Sequence, residues 1–125
     1  MMVTGFETIK HELTEAEIEI VPFLISGFKK HGPLNKIKAP EIVGRMNDFF
    51  FKNDIKYRMT DVKLRRFVNY IRSNSLLPLI ATGEGYFVCD DRDILLDQIK
   101  SLNERAASIR GCAAGLENFL KPHFK

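Results

Sequence analysis

Tryptophan is absent from this 125-residue chain, cysteine occurs twice and histidine three times. Cys89 and Cys112 lack Cys-x-x-Cys spacing and lie among apolar or small neighbours, which predicts reduced, mostly buried thiols and argues against a disulfide framework or a zinc site. His11, His31 and His123 never pair at the i, i+4 spacing of a helical metal site, so no metal is expected. No apolar run approaches the roughly 18 residues of a membrane span. The start, Met1 to Glu7, has no basic cluster followed by an apolar stretch, so a cytoplasmic location is expected. A Ser/His/Asp set, a working carboxylate pair and a phosphate-cradling glycine loop are also missing; Gly83-Glu84-Gly85 is too short for the last. The expectation is a protein that is not an enzyme, with no cofactor and no small-molecule substrate.

What the chain does have is segregated charge. The net +3 conceals twelve Lys and Arg against four Asp and Glu between Lys29 and Arg72, a local +8, while the remainder is acidic at −5. A cationic middle with acidic flanks suggests one surface that faces a polyanion. The plainer alternative is a set of lysines and arginines that solvate helix faces.

At 45% apolar composition and this length, one modest core is expected. Thr14-Glu15-Ala16-Glu17 is a capping box and opens a first helix, with Ile18, Val21, Leu24, Ile25 and Phe28 at helical spacing. Pro22 falls inside it and should bend it or remove a hydrogen bond. His31-Gly32-Pro33 ends the run. A second helix starts at Ala39-Pro40-Glu41, with Ile42, Val43 and Met46 as a short apolar face. Phe49 to Met59 shows no clear period and reads as a longer connection whose aromatics cover the core. Thr60 then caps a third helix, in which Leu64, Phe67, Val68 and Ile71 share one face. Lys63, Arg65, Arg66, Asn69, Tyr70 and Ser73 fall on its outer surface. Leu77 to Thr82 and Tyr86 to Cys89 read as two strands around Gly83-Glu84-Gly85, whose glycines supply the positive dihedrals of a tight turn.

This order predicts an α+β, mostly α chain: a winged helix-turn-helix domain over residues 14–90, made of three helices plus a β-hairpin wing, preceded by an N-terminal segment (1–13) and followed by a long C-terminal amphipathic helix (91–125). The run Thr60-Asp61-Val62-Lys63-Leu64-Arg65-Arg66-Phe67-Val68-Asn69-Tyr70-Ile71-Arg72, with Leu77 to Thr82 and Gly85-Tyr86-Phe87, resembles small phage- and prophage-encoded winged-helix proteins. The resemblance covers roughly residues 14 to 118. It implies a duplex DNA-binding protein, either a transcriptional regulator or an accessory factor of replication initiation.

In such a fold the third helix enters the major groove, where arginine forms paired bonds to guanine and asparagine to adenine, while lysines hold phosphates. Arg65, Arg66 and Asn69 are the candidate base readers. Lys63, Tyr70 and Arg72, with Lys29, Lys30, Lys36 and Lys38, are candidate phosphate contacts. The hairpin tip departs from a DNA-gripping wing, since it carries Glu84 and no cation. An adaptor that binds only proteins is the alternative.

Leu95, Ile99, Leu102, Ala106, Ile109, Ala113, Leu116 and Leu120 advance by alternating steps of four and three, an unbroken heptad stripe. Asp90, Asp91 and Asp93 suit the start of a helix. A helix of this length overhangs a small domain, and its stripe, with Leu95, Ile99, Leu102, Ile109 and Leu116 as the dimerisation residues, is expected to meet a second copy. Packing against the first helix of the same chain is the rival. A symmetric dimer implies a roughly palindromic target.

Overall fold

The structure, a computed structural model, describes residues 13–121; apart from Leu13, the expected N-terminal segment lies outside the described residues. It is α+β and mostly helical, with helices α1 (Glu15–Phe28), α2 (Ala39–Lys52), α3 (Asp61–Ser73) and α4 (Arg92–Glu117), a short 3-10 turn (Asn118–Leu120), and strands β1 (Leu79–Thr82) and β2 (Gly85–Val88) in one antiparallel hairpin. The chain divides into two compact units, Met1–Asp90 and Asp91–Lys125.

Helix α1 begins as its capping box dictates: Thr14 Oγ1 accepts from the Glu17 amide and Glu17 Oε1 accepts from the Thr14 amide. Its buried face is Glu17, Ile20, Val21, Leu24 and Phe28. That corrects the predicted stripe, because Ile18 is exposed and Ile20 takes its place; the face turns to include a carboxylate that finds partners inside. Helix α1 continues through Pro22, which leaves the exposed Ile18 without the usual i+4 donor to its carbonyl, at a position where water can replace it.

Helix α2 is a full turn longer than predicted. Phe49 to Lys52 belong to it, and Ile42, Met46 and Phe50 form one buried ridge four residues apart. Three consecutive phenylalanines had hidden that phase: Phe50 is buried, Phe49 half-buried and Phe51 exposed. Helices α2 and α3 both end in Schellman geometry. Asp54 and Ser75 adopt left-handed backbone (φ 56° and 55°), and the amides of Ile55 and Leu76 donate to the carbonyls of Phe50 and Ile71. The actual connection before α3 is pinned by Asn47, whose amide nitrogen donates to the Met59 carbonyl (3.1 Å) and whose oxygen accepts from the Met59 amide (2.8 Å). Thr60 caps α3 through its hydroxyl. Leu64, Phe67, Val68 and Ile71 are all buried, as the periodicity requires.

The core joins these faces to Ile37, Met59, Leu77 and Leu79. A tilted and edge-on aromatic series, Phe23–Phe49–Phe50–Tyr57–Phe67, runs along it with ring centroids 4.8 to 6.2 Å apart.

The hairpin pairs Leu79 with Val88 and Thr82 with Gly85, leaving Gly83 and Glu84 as the two-residue turn. A third strand-like segment, which the sequence reading missed, lies against it. Ile37 and Tyr86 exchange both backbone hydrogen bonds, at 2.9 and 2.8 Å, as an isolated antiparallel bridge. The polar–apolar–polar alternation of Lys36-Ile37-Lys38 is its sequence signature. Of the two turn-region glycines expected to take positive dihedrals, Gly85 does (φ 131°) and Gly83 does not. A Cβ at residue 85 would stand 2.7 Å from the Ile37 carbonyl oxygen, so the close approach of this segment is what requires glycine.

In the second unit, the Asp91 carboxylate caps α4 by accepting from the amides of Asp93 and Ile94. The helix has 26 residues and no buried side chain, and Ile99, Ile109 and Leu116 on its heptad stripe are more than half exposed. Cys112 is exposed too, which corrects the expectation of two buried thiols; Cys89 is half-buried, and neither forms a disulfide. No helix of the described residues is long and apolar enough to cross a membrane.

Candidate nucleic-acid interface

Viewed down its axis, α3 separates the predicted site residues into three groups. Asn69 and Ser73 face outward and are exposed. One flank carries Asp61, Arg65 and Arg72 and borders the hairpin. The other carries Lys63, Arg66 and Tyr70, nearer α1 and the connection before α3.

The hairpin-side flank closes a cleft of about 300 Å³ between the start of α2, α3 and the hairpin, lined by Lys38, Asp61, Arg65, Thr82 and Tyr86 among others. Arg65 is well exposed and forms an i, i+4 ion pair with Asp61 at 2.8 Å, an exposed pair of small energetic weight that a stronger anion can displace. The Tyr86 hydroxyl is pushed up from its ordinary pKa by burial and by the Asp61 charge, against opposing effects of Arg72 and Arg65. Four charged or phenolic groups from α3 and β2 therefore share one electrostatic neighbourhood. Thr82 and Tyr86 were not among the predicted site residues; only the folding of the hairpin onto α3 brings them there.

Lys36 and Lys38 flank the Ile37 bridge. Lys36 Nζ binds the Glu84 carboxylate at 2.8 Å and lies 5.3 Å from the centre of the Phe87 ring. The hydrogen bond and charge of Lys36, helped by Lys38, hold the Glu84 carboxyl below the usual range. The acid at the hairpin tip is thus partnered, and Lys36 is half withdrawn from any other anion. Lys38, the N-cap of α2, is exposed and makes no side-chain cap bond.

On the opposite flank the cations are committed to the fold. Lys63 Nζ donates to the Arg58 carbonyl at 3.0 Å and sits 4.8 Å from the Tyr57 ring centre. Arg66 is drawn inward, which corrects its predicted outward placement: its guanidinium donates to both oxygens of Glu17, at 3.0 and 3.2 Å. Tyr57 donates its hydroxyl to the same carboxylate at 2.6 Å. Burial acts to raise the Glu17 pKa, but bonds from Tyr57, Arg66 and the Thr14 amide, with the Arg66 charge, hold it at about 2 against an ordinary 4.5. The Tyr57 hydroxyl is pushed up by burial and by Glu17. Tyr70 packs half-buried against the core, and Lys29 and Lys30 are exposed at the end of α1. The predicted set is therefore not one patch: Lys36, Lys38, Arg65 and Arg72 gather on the hairpin side, Asn69 faces outward, and Lys63 and Arg66 turn away.

Among the described residues no group of three or more His, Cys, Asp or Glu side chains could hold a metal ion. Comparison with known protein families, with curated proteins and with solved structures returns no match.

Proposed function

We propose that residues 14–90 form a winged helix-turn-helix module that binds duplex DNA, with α3 as the recognition helix and the β1–β2 hairpin as the wing. Regulation of transcription, or assistance to replication initiation, is the process that this binding would serve. The observation that carries the reading is the Ile37–Tyr86 bridge. It completes a helix–strand–helix–helix–hairpin order, brings Lys36 to the hairpin tip and lines Lys38 up with Arg65 of α3 in one cleft. Arg65 and Asn69 read base edges in this proposal, Lys38 and Arg72 hold phosphates, and Arg66 serves the fold through Glu17.

The hairpin tip, with Glu84 and no cation, favours a second reading, an adaptor that binds only protein. Titration of random duplex DNA at two salt concentrations separates the two. If about three to five phosphates are contacted, log affinity falls against log salt with a slope of roughly −3 to −5. Absence of binding at low salt leaves the adaptor.

A further inference from the structure

Helix α4 presents three heptads of apolar side chains with no buried residue among them, and its sequence distinguishes between the ways a second copy can cover that stripe. Steps of three run from Ile99 to Leu102, Ala106 to Ile109 and Ala113 to Leu116, so Ile99, Ala106 and Ala113 occupy a positions and Leu102, Ile109 and Leu116 occupy d positions. The flanking positions are Gln98, Arg105 and Cys112 at g, and Asn103, Arg110 and Glu117 at e.

We infer that two copies of the chain pair through α4 in antiparallel orientation, with the two-fold axis crossing the seam between Ala107 and Ser108. An antiparallel seam packs a against d. In this register Ile99 meets Leu116 of the partner subunit, Leu102 meets Ala113 of the partner subunit, and Ala106 meets Ile109 of the partner subunit. In the four central layers each alanine faces a large side chain, so these layers keep nearly constant width, as dense packing demands, and the Ile99 layers close the two ends.

A parallel seam packs a on a and d on d. Alanine would face alanine in two layers and leave voids between the Leu102, Ile109 and Leu116 layers. Charge points the same way. Parallel pairing sets Arg105 against Arg110 of the partner subunit on both sides of the seam, and stacks the acidic starts that contain Asp91, Asp93 and Asp97 side by side. Antiparallel pairing sets Arg105 near Cys112 of the partner subunit and Arg110 near Asn103 of the partner subunit. It also opposes the two helix dipoles. The proposal is independent of DNA binding, since it rests only on α4 and is read out as mass and cross-links.

Sedimentation of the full chain at tens of micromolar should give twice the 14.4 kDa of one chain. Orientation is then read by cysteine pairing in a Cys89→Ala, Cys112→Ala background, with helix content checked by circular dichroism. Chains bearing Leu102→Cys mixed with chains bearing Ala113→Cys should form a mixed disulfide dimer on oxidation, while either variant alone stays uncross-linked, because its own two thiols lie about eleven residues of helix rise apart. Cross-linking of each variant with itself would establish a parallel seam and overturn the proposal. A wild-type chain that sediments as a monomer would overturn it as well and hand the stripe to the chain's own first unit or to a different protein.

Discussion

Glu17 and Arg66, 49 residues apart in sequence, meet through two hydrogen bonds of 3.0 and 3.2 Å, and the carboxylate also accepts from Tyr57 and from the Thr14 amide. One side chain thus closes the cap of α1, anchors the connection before α3 and ties α3 to α1 through Arg66. The ionised form is favoured in the fold, at about 2, and less so in the unfolded chain, near 4.5. Its contribution is fully present above about pH 5 and is lost as pH falls towards 2, at a size of about 3 kcal/mol. Glu17→Gln should flatten that part of the stability-versus-pH curve, measured by urea unfolding between pH 2 and 6. Parallel curves for the two proteins would show that the network carries no such linkage. Arg66→Ala leaves the buried carboxylate short of its cation and should cost about 2 kcal/mol at pH 7, the pair being discounted for the one-third exposure of Arg66.

Gly85 is fixed by its neighbour across the bridge. A methyl group there meets the Ile37 backbone at 2.7 Å with φ at 131°, so Gly85→Ala should destabilise the first unit by about 2 kcal/mol or more, with the loss visible as a lower Tm. Gly83, two residues earlier, has open space around its Cβ position, and Gly83→Ala should change stability by less than about 0.5 kcal/mol. Equal effects at both positions would show that the segment around Ile37 does not hold this edge.

For the proposed DNA contacts, Arg65→Ala and Asn69→Ala should each weaken binding by about 1–3 kcal/mol at a preferred sequence, with no change in Tm beyond the loss of an exposed ion pair. Lys38→Ala should weaken all sequences alike and reduce the salt slope by about one. Glu84→Gln releases Lys36 from its 2.8 Å partner and removes a negative charge from the hairpin tip, so it should tighten binding and steepen the slope. An Arg65→Ala chain that binds with wild-type affinity and slope would remove that flank from the interface.

Gly111 and Gly115 interrupt α4 at positions off the heptad seam, with nothing within 4 Å of a Cβ at either. Gly111→Ala should raise helix content and stabilise α4 by about 0.5–1 kcal/mol without altering the mass of the assembly. Dissociation of the assembly by this change would mean that the glycine face, and not the leucine stripe, is the contact.

The local chemistry of this chain was legible before folding. The Thr14–Glu17 capping box, the Thr60 cap, the α3 core face of Leu64, Phe67, Val68 and Ile71, the hairpin around Gly83-Glu84 and the α4 stripe each depend on residues within a few positions of one another, where spacing alone sets the outcome. What tertiary structure decided was every relation between distant segments. Lys36-Ile37-Lys38 joined the hairpin through a single bridge only because Tyr86 offered Ile37 backbone partners. Arg66 turned from an outward candidate into an internal counter-ion because Glu17 lay beneath it. The end of α2 could not be read because three adjacent phenylalanines satisfy every helical phase, and only the core selects Phe50 among them. Periodicity reports which face of a helix is apolar; which charged residue at the border of that face turns inward depends on whether a partner 49 positions away is there to meet it.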